Sequence, residues 1–169
     1  MSPELRNLDR GFLATLEEHQ DVAPIRLTDL ARALGVPVKA ATLAPGISGE
    51  IRPSEGGGFV IKVNRHDPKR RQRFSVAHEL SHFLLHRDQI GDGIADDVLY
   101  RSSLSDWREA EANRLAADIL MPDALVREQI DAAHEKGVGD IVLYLADEFA
   151  VSEAAMRIKL ENLGIYADA

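Results

Sequence analysis

The sequence predicts an α+β fold that is mainly helical. A small antiparallel three-stranded sheet packs on one central helix, and a helical pair closes the C-terminal end. Three observations predict it. Apolar residues recur at helical spacing through most of the chain, as they do in amphipathic helices. Residues 38–63 instead break into short strand-like runs separated by Pro45-Gly46 and by the glycine-rich stretch 54–58, which reads as strands and turns. The length of 169 residues, 45% of them hydrophobic, suits one domain with a real core.

The elements follow in order. Leu5, Leu8, Phe12, Leu13 and Leu16 place a helix over 4–19, and Pro24 stops any continuation. Residues 27–34 form a second short helix, with Thr28 as a candidate cap and Gly35 and Pro37 at its end. Strands are predicted at 38–43, 47–52 and 59–63. A helix then begins at Asp67-Pro68, with Asp67 as cap and the proline at the first helical position, and runs to His86. Val98 to Arg101 reads as one more edge strand. Ser105 caps a helix that ends before Met121-Pro122, residues 123–135 and 139–149 give two more, and Ser152 caps the last, which ends at Gly164. The expected organisation is one domain over 1–169: N-terminal helices to 36, the sheet over 37–64, the two site-bearing helices over 67–122, and C-terminal helices from 123.

Composition excludes several classes. With no cysteine, disulfides, thiolate metal sites and a cysteine nucleophile are ruled out. The N-terminal residues lack a signal pattern and no apolar run approaches a membrane span, so the expectation is a cytoplasmic protein without membrane association. Net charge is −8, unevenly spread: residues 1–87 carry 13 basic against 10 acidic residues, residues 88–169 carry 7 against 18. An acidic half repels phosphate, so no direct nucleic-acid binding is expected.

The chemistry is carried by His78-Glu79-Leu80-Ser81-His82, an HExxH pattern on a helix. Residues four apart share a helix face, so both imidazoles can hold one metal ion while Glu79, one position round, acts as general base on a water. HExxH also occurs by chance, and its weight depends on a third ligand. His86 repeats the spacing, but it lies on the order of 12 Å along the axis from His78, too far for one zinc to take both. It reads as a group behind a ligand, a helix-end residue or a substrate contact, with a purely structural role as the alternative. The helix over 105–120 supplies the better candidate. At about 100° per residue, Glu109 falls roughly 50° from the centre of its apolar stripe and Glu111 roughly 110°. A carboxylate that reaches a buried metal belongs at the stripe edge, which favours Glu109. Asn113, one turn on, can hydrogen-bond a ligand.

Arg73-Phe-Ser-Val-Ala-His-Glu-Leu-Ser-His82, then Leu84-Leu85-His86, then Glu109-x-x-Ala-Asn113 and the stop at Ile119-Leu-Met-Pro122, together resemble the ImmA/IrrE family of metallo-endopeptidases. The similarity covers most of the chain, including the strand that ends in Val63-Asn64. It departs in Ser81, where the family usually has Gly, and in Leu115, where Phe is common. The resemblance implies a zincin-like, gluzincin-type site with His78, His82 and Glu109 on Zn2+ and Glu79 as the base. It also implies a protein substrate, a helix-turn-helix repressor, and a role in transcriptional regulation or stress response. His66, Tyr100 and His86 are candidates for stabilising the oxyanion or facing the substrate.

Other readings compete. A zinc-containing module that binds a regulator without cutting it has the same motif. Leu145 to Leu160 has the helix lengths of a helix-turn-helix, but its second helix offers only Arg157 and Lys159, so a structural pair or protein-binding surface is preferred. The basic run over 69–73 reads as a solvated face, or as a contact for an acidic partner. The loop Asp88 to Asp97 is a candidate lid.

Overall fold

The structure is a computed structural model and describes residues 1–97 and 106–165. The chain is α+β, with eight α-helices and four strands among the described residues. The single helix expected over 4–19 is two, α1 (Pro3–Arg6) and α2 (Arg10–Glu18). Ser2 accepts from the Leu5 N–H to start α1, and Asp9 accepts from the Gly11 N–H to start α2. Such short polar side chains compete with the helical ladder and break it. Helix α3 (Leu27–Ala33) follows Arg26 and has no side-chain cap, so Thr28 does not serve as one. Gly35 ends it at φ 77°, a conformation that glycine adopts without strain.

The sheet contains β1 (Val38–Ala41), β2 (Ile47–Pro53), β3 (Phe59–Asn64) and β4 (Ile94–Asp97), in the order β1-β3-β2-β4. It is mixed and four-stranded, which corrects the expected antiparallel three-stranded sheet. β2 and β3 form the expected antiparallel hairpin, but β1 pairs with β3 in parallel. Two reversals of the chain leave β1 running the same way as β3, whose outer edge it occupies. β4 takes the other edge of β2, antiparallel. Alternation of apolar residues sets which face is buried, not which neighbour a strand finds. The strand expected at Val98–Arg101 lies outside the described residues. In the candidate lid, Ile90 and Ile94 are buried and β4 pairs with β2.

Helix α4 (Lys69–His86) lies across β2 and β3. It starts one residue later than expected: Pro68, at φ −56° and ψ 149°, is the N-cap and Asp67 does not cap it. The extended ψ keeps Pro68 out of the helix, and Gln72 reaches back to the Asp67 carbonyl at 2.8 Å. Helix α5 (Asp106–Leu120) packs along α4, with Ala112, Leu115, Ala116 and Ile119 fully buried. The small alanines permit close approach. The expected cap Ser105 lies outside the described residues.

Helices α6 (Asp123–Glu135), α7 (Ile141–Phe149) and α8 (Glu153–Asn162) complete the chain. Asp140 caps α7 through the Leu143 N–H, which starts it two residues later than expected, and Ser152 caps α8 through the Ala155 N–H, as expected. Lys159 is 5% exposed and pairs with Asp118 at 2.8 Å and Asp123 at 2.5 Å. One of the two basic residues of the apparent recognition helix is thus spent inside the fold. Arg70 likewise pairs with Asp147 and donates to the Val151 carbonyl, so part of the basic run ties α4 to the C-terminal pair. One hydrophobic cluster runs from Leu8 to Leu160. No described helix is long and apolar enough to cross a membrane.

Candidate metal centre

The site forms where α4 and α5 touch. His78 and His82 stand one turn apart on α4, with ring centroids 4.7 Å apart and Nε2 atoms 3.1 Å apart. Glu109, in the first turns of α5, brings Oε2 to 3.0 Å from His78 Nε2 and Oε1 to 3.2 Å from His82 Nε2. One ligand atom from each of the three residues lies within 4.8 Å of the others. His78 is 3% exposed and His82 0%, while Glu109 at 18% closes the open side.

Hydrogen-bond direction tests whether this group fits a cation. His78 Nδ1 lies 2.9 Å from Asn113 Oδ1. An amide oxygen only accepts, so the His78 proton sits on Nδ1 and Nε2 keeps its lone pair. His86 Nε2 lies 2.9 Å from Glu111 Oε2, and His86 Nδ1 lies 3.0 Å from His82 Nδ1. A carboxylate also only accepts; with neutral rings His86 donates from Nε2, accepts on Nδ1, and His82 donates from Nδ1. His82 Nε2 is then bare as well. Two lone pairs and a carboxylate converge on one point, an arrangement that repels itself unless a cation lies between. Two imidazoles and one carboxylate make a donor set that can hold a metal ion. Burial, the largest influence, pushes the His82 imidazole below its ordinary value of 6.5; the bond that a protonated His82 would donate to the Glu109 carboxylate pulls the other way, and His78 and His86 add to the lowering. The neutral form is the one that binds metal.

Glu79 is fully buried on the sheet side of α4. Gly49 of β2 makes room for it: a Cβ there would stand 3.2 Å from Ser75 Cβ and 3.5 Å from Glu79 Cγ and Oε1. Ser81 is buried and donates to the Ala77 carbonyl at 2.8 Å. Phe74 stacks beside His78 at 6.0 Å, and Phe74 and Asn113 also line a cavity of about 720 Å3 that extends toward α8.

Three further candidates remain, His66, His86 and Tyr100. His66 sits in the turn after β3 with Nε2 3.2 Å from Thr42 Oγ1, outside the three-residue group. His86 is buried with both ring nitrogens engaged, by His82 and Glu111. Tyr100 lies outside the described residues. Three neighbours do not show in the sequence: Glu111 as partner of His86, Gly49 beneath Glu79, and Trp107, whose ring stands perpendicular to that of His86 at 6.5 Å. Nothing local marked Gly49.

Residues 31–161 match the model of a peptidase family, M78, described as the IrrE N-terminal-like domain. Among solved structures, a Mycobacterium tuberculosis transcriptional regulator is similar, with a TM-score of 0.55 and 19% identity over 95% of this chain and 52% of that one. The chain thus spans about half of that regulator, and at this identity the likeness is one of fold. No curated protein matches the chain.

Proposed function

The chain belongs to the M78 peptidase family of IrrE N-terminal-like domains, and from that premise we propose that it is a zinc-dependent endopeptidase acting on a protein substrate. The observation that carries the proposal is the convergence of His78 Nε2, His82 Nε2 and the Glu109 carboxylate beside the buried Glu79. His78, His82 and Glu109 hold the metal, and Asn113 orients His78 through its Nδ1 proton. Zinc, when bound, supplies Lewis acidity, which acidifies a water and polarises the scissile carbonyl. Glu79 takes one proton of that water on a carboxylate oxygen as the oxygen bonds to the carbonyl carbon. It then gives the proton to the amide nitrogen as the C–N bond breaks, so that one water is added across one peptide bond.

We take the substrate to be a helix-turn-helix repressor, the class implied by the family resemblance, and the setting to be the cytoplasm, where such repressors act. The catalytic unit extends beyond the family match, because Leu8, Leu16 and Ile25 belong to the same hydrophobic cluster as the site helices.

The test is incubation with the repressor encoded beside its gene, with zinc, with chelator, and with Glu79→Gln in place of the wild type. Cleavage is expected only with zinc and Glu79, and Glu79→Gln should lose on the order of 10²–10⁴ in rate while binding zinc normally. Full activity of Glu79→Gln in cells would overturn the peptidase mechanism and favour a module that binds without cutting.

A further inference from the structure

The α4 face does not stop at the candidate ligands. Beyond His82, the structure continues a hydrogen-bonded line: His82 Nδ1 to His86 Nδ1 at 3.0 Å, then His86 Nε2 to Glu111 Oε2 at 2.9 Å. His86 is 4% exposed, and the Glu111 side chain at 28% sits at the rim, where water reaches it. We propose that His86 and Glu111 are positioning residues: together they hold the His82 proton on Nδ1 and so set how tightly the site takes its metal. The proposal rests on the metal-site reading above.

The reasoning is proton bookkeeping. An unconstrained neutral histidine in water favours the tautomer protonated on Nε2, which would close the one His82 atom that faces Glu109. Tautomer choice is decided by the bond made at the other nitrogen. Here that partner is another imidazole, which can donate or accept and therefore settles nothing alone. Glu111 breaks the tie. Its carboxylate cannot donate, so it fixes the proton of neutral His86 on Nε2, leaves His86 Nδ1 as an acceptor, and leaves His82 Nε2 open. His78 needs no relay, because Asn113 presents an acceptor directly. The four-residue step that places His86 beyond reach of the metal is the step that brings its Nδ1 against His82. The Trp107 ring stands perpendicular to that of His86 at 6.5 Å, and the His82 and His86 ring centroids lie 5.3 Å apart.

Partners behind a metal-binding histidine are worth about 10–100-fold in metal affinity. The experiment measures zinc affinity of the full chain by competition with a chromogenic chelator at neutral pH. In parallel, the His82 ring nitrogens of the metal-free protein are followed by 15N NMR. Expected results are a 10–100-fold weaker affinity in His86→Leu and in Glu111→Leu, with His82 shifting toward the Nε2-protonated form. His86→Gln, whose Oε1 can accept from His82 Nδ1, should recover most of the affinity. Glu111→Leu guards against misfolding of His86→Leu, since its side chain is at the rim. Unchanged affinity in both leucine variants overturns the proposal, as does an affinity loss with the His82 tautomer unmoved, which would mark a merely structural role. A wild-type chain that takes up no zinc while His82 stays protonated on Nδ1 overturns the metal reading and supports the relay.

Discussion

At the scale of single residues, Glu109 and Glu111 make the clearest contrast. They are two positions apart on α5, yet one meets His78 and His82 and the other meets His86. Glu109→Ala is expected to abolish stoichiometric zinc binding, and Glu111→Ala to weaken it without abolishing it; metal analysis after dialysis checks both. Loss of zinc in Glu111→Ala alone would invert the assignment. Gly49 is a second such position. Added side-chain atoms there press on Ser75 and Glu79, so Gly49→Val should cost about 1–3 kcal/mol by overpacking. Denaturant titration reads that cost, and cleavage should fall further than zinc affinity, because the pressure acts on Glu79 rather than on the imidazoles.

At the scale of elements, the C-terminal helical pair is bolted to the site helices by charge. Lys159 of α8 lies between Asp118 of α5 and Asp123 of α6, and Asp118 also accepts from the Ser2 N–H at 2.7 Å. Removing one member of a buried pair leaves a charge stranded, which costs about 3–5 kcal/mol. Lys159→Met is therefore expected to lower stability by that order in urea titration while leaving zinc affinity unchanged, since the pair lies nine residues along α5 from Glu109. A variant as stable as the wild type would show that the cluster carries no net stabilisation. Lys159 on α8 and Asp147 on α7, which pairs with Arg70, tie these two helices, despite their helix-turn-helix lengths, to the rest of the fold.

At the scale of the whole molecule, two linkages follow. Zinc that binds only the folded chain stabilises it by about 4 kcal/mol at a free concentration a thousand times Kd, which for this size is a rise of roughly 8–16 °C in Tm. The chelated protein should stay folded, because one hydrophobic cluster from Leu8 to Leu160 joins the elements without the site. Calorimetry with and without chelator checks both statements. Acid acts through Glu4 and Asp123. Burial raises each carboxyl, but Arg114 at Glu4, and Lys159 with the Met1 amino group at Asp123, outweigh it and hold them below their ordinary values of 4.5 and 3.8. Folded values lower than unfolded ones mean stability that is full above the ordinary values and lost as pH falls through the lower, folded ones. Unfolding midpoints of metal-free protein should therefore drop as pH falls below about 4.5.

Helical periodicity, capping residues and the HExxH spacing were legible in the chain because they are local. They depend on 3.6 residues per turn and on short-range hydrogen bonds. From them came the α+β class, the extent of α4 to His86, the Ser152 cap, and the choice of the stripe-edge carboxylate Glu109 over Glu111 as the candidate ligand. Local signals also misplaced the break at Asn7 to Asp9, which the Asp9 side chain decides by competing with the helical ladder, and the start of α4, which the extended Pro68 decides. Strand order was beyond reach, since β1 and β3 meet only after two reversals of the chain. That Asn113 could bond a ligand was legible from its place one turn past Glu109, but which ligand it meets, the line from His82 through His86 to Glu111, and the β2 glycine beneath Glu79 depend on how separate elements face each other. Sequence spacing places residues on one helix; only packing decides which residue of another helix stands opposite and which lone pair is left open.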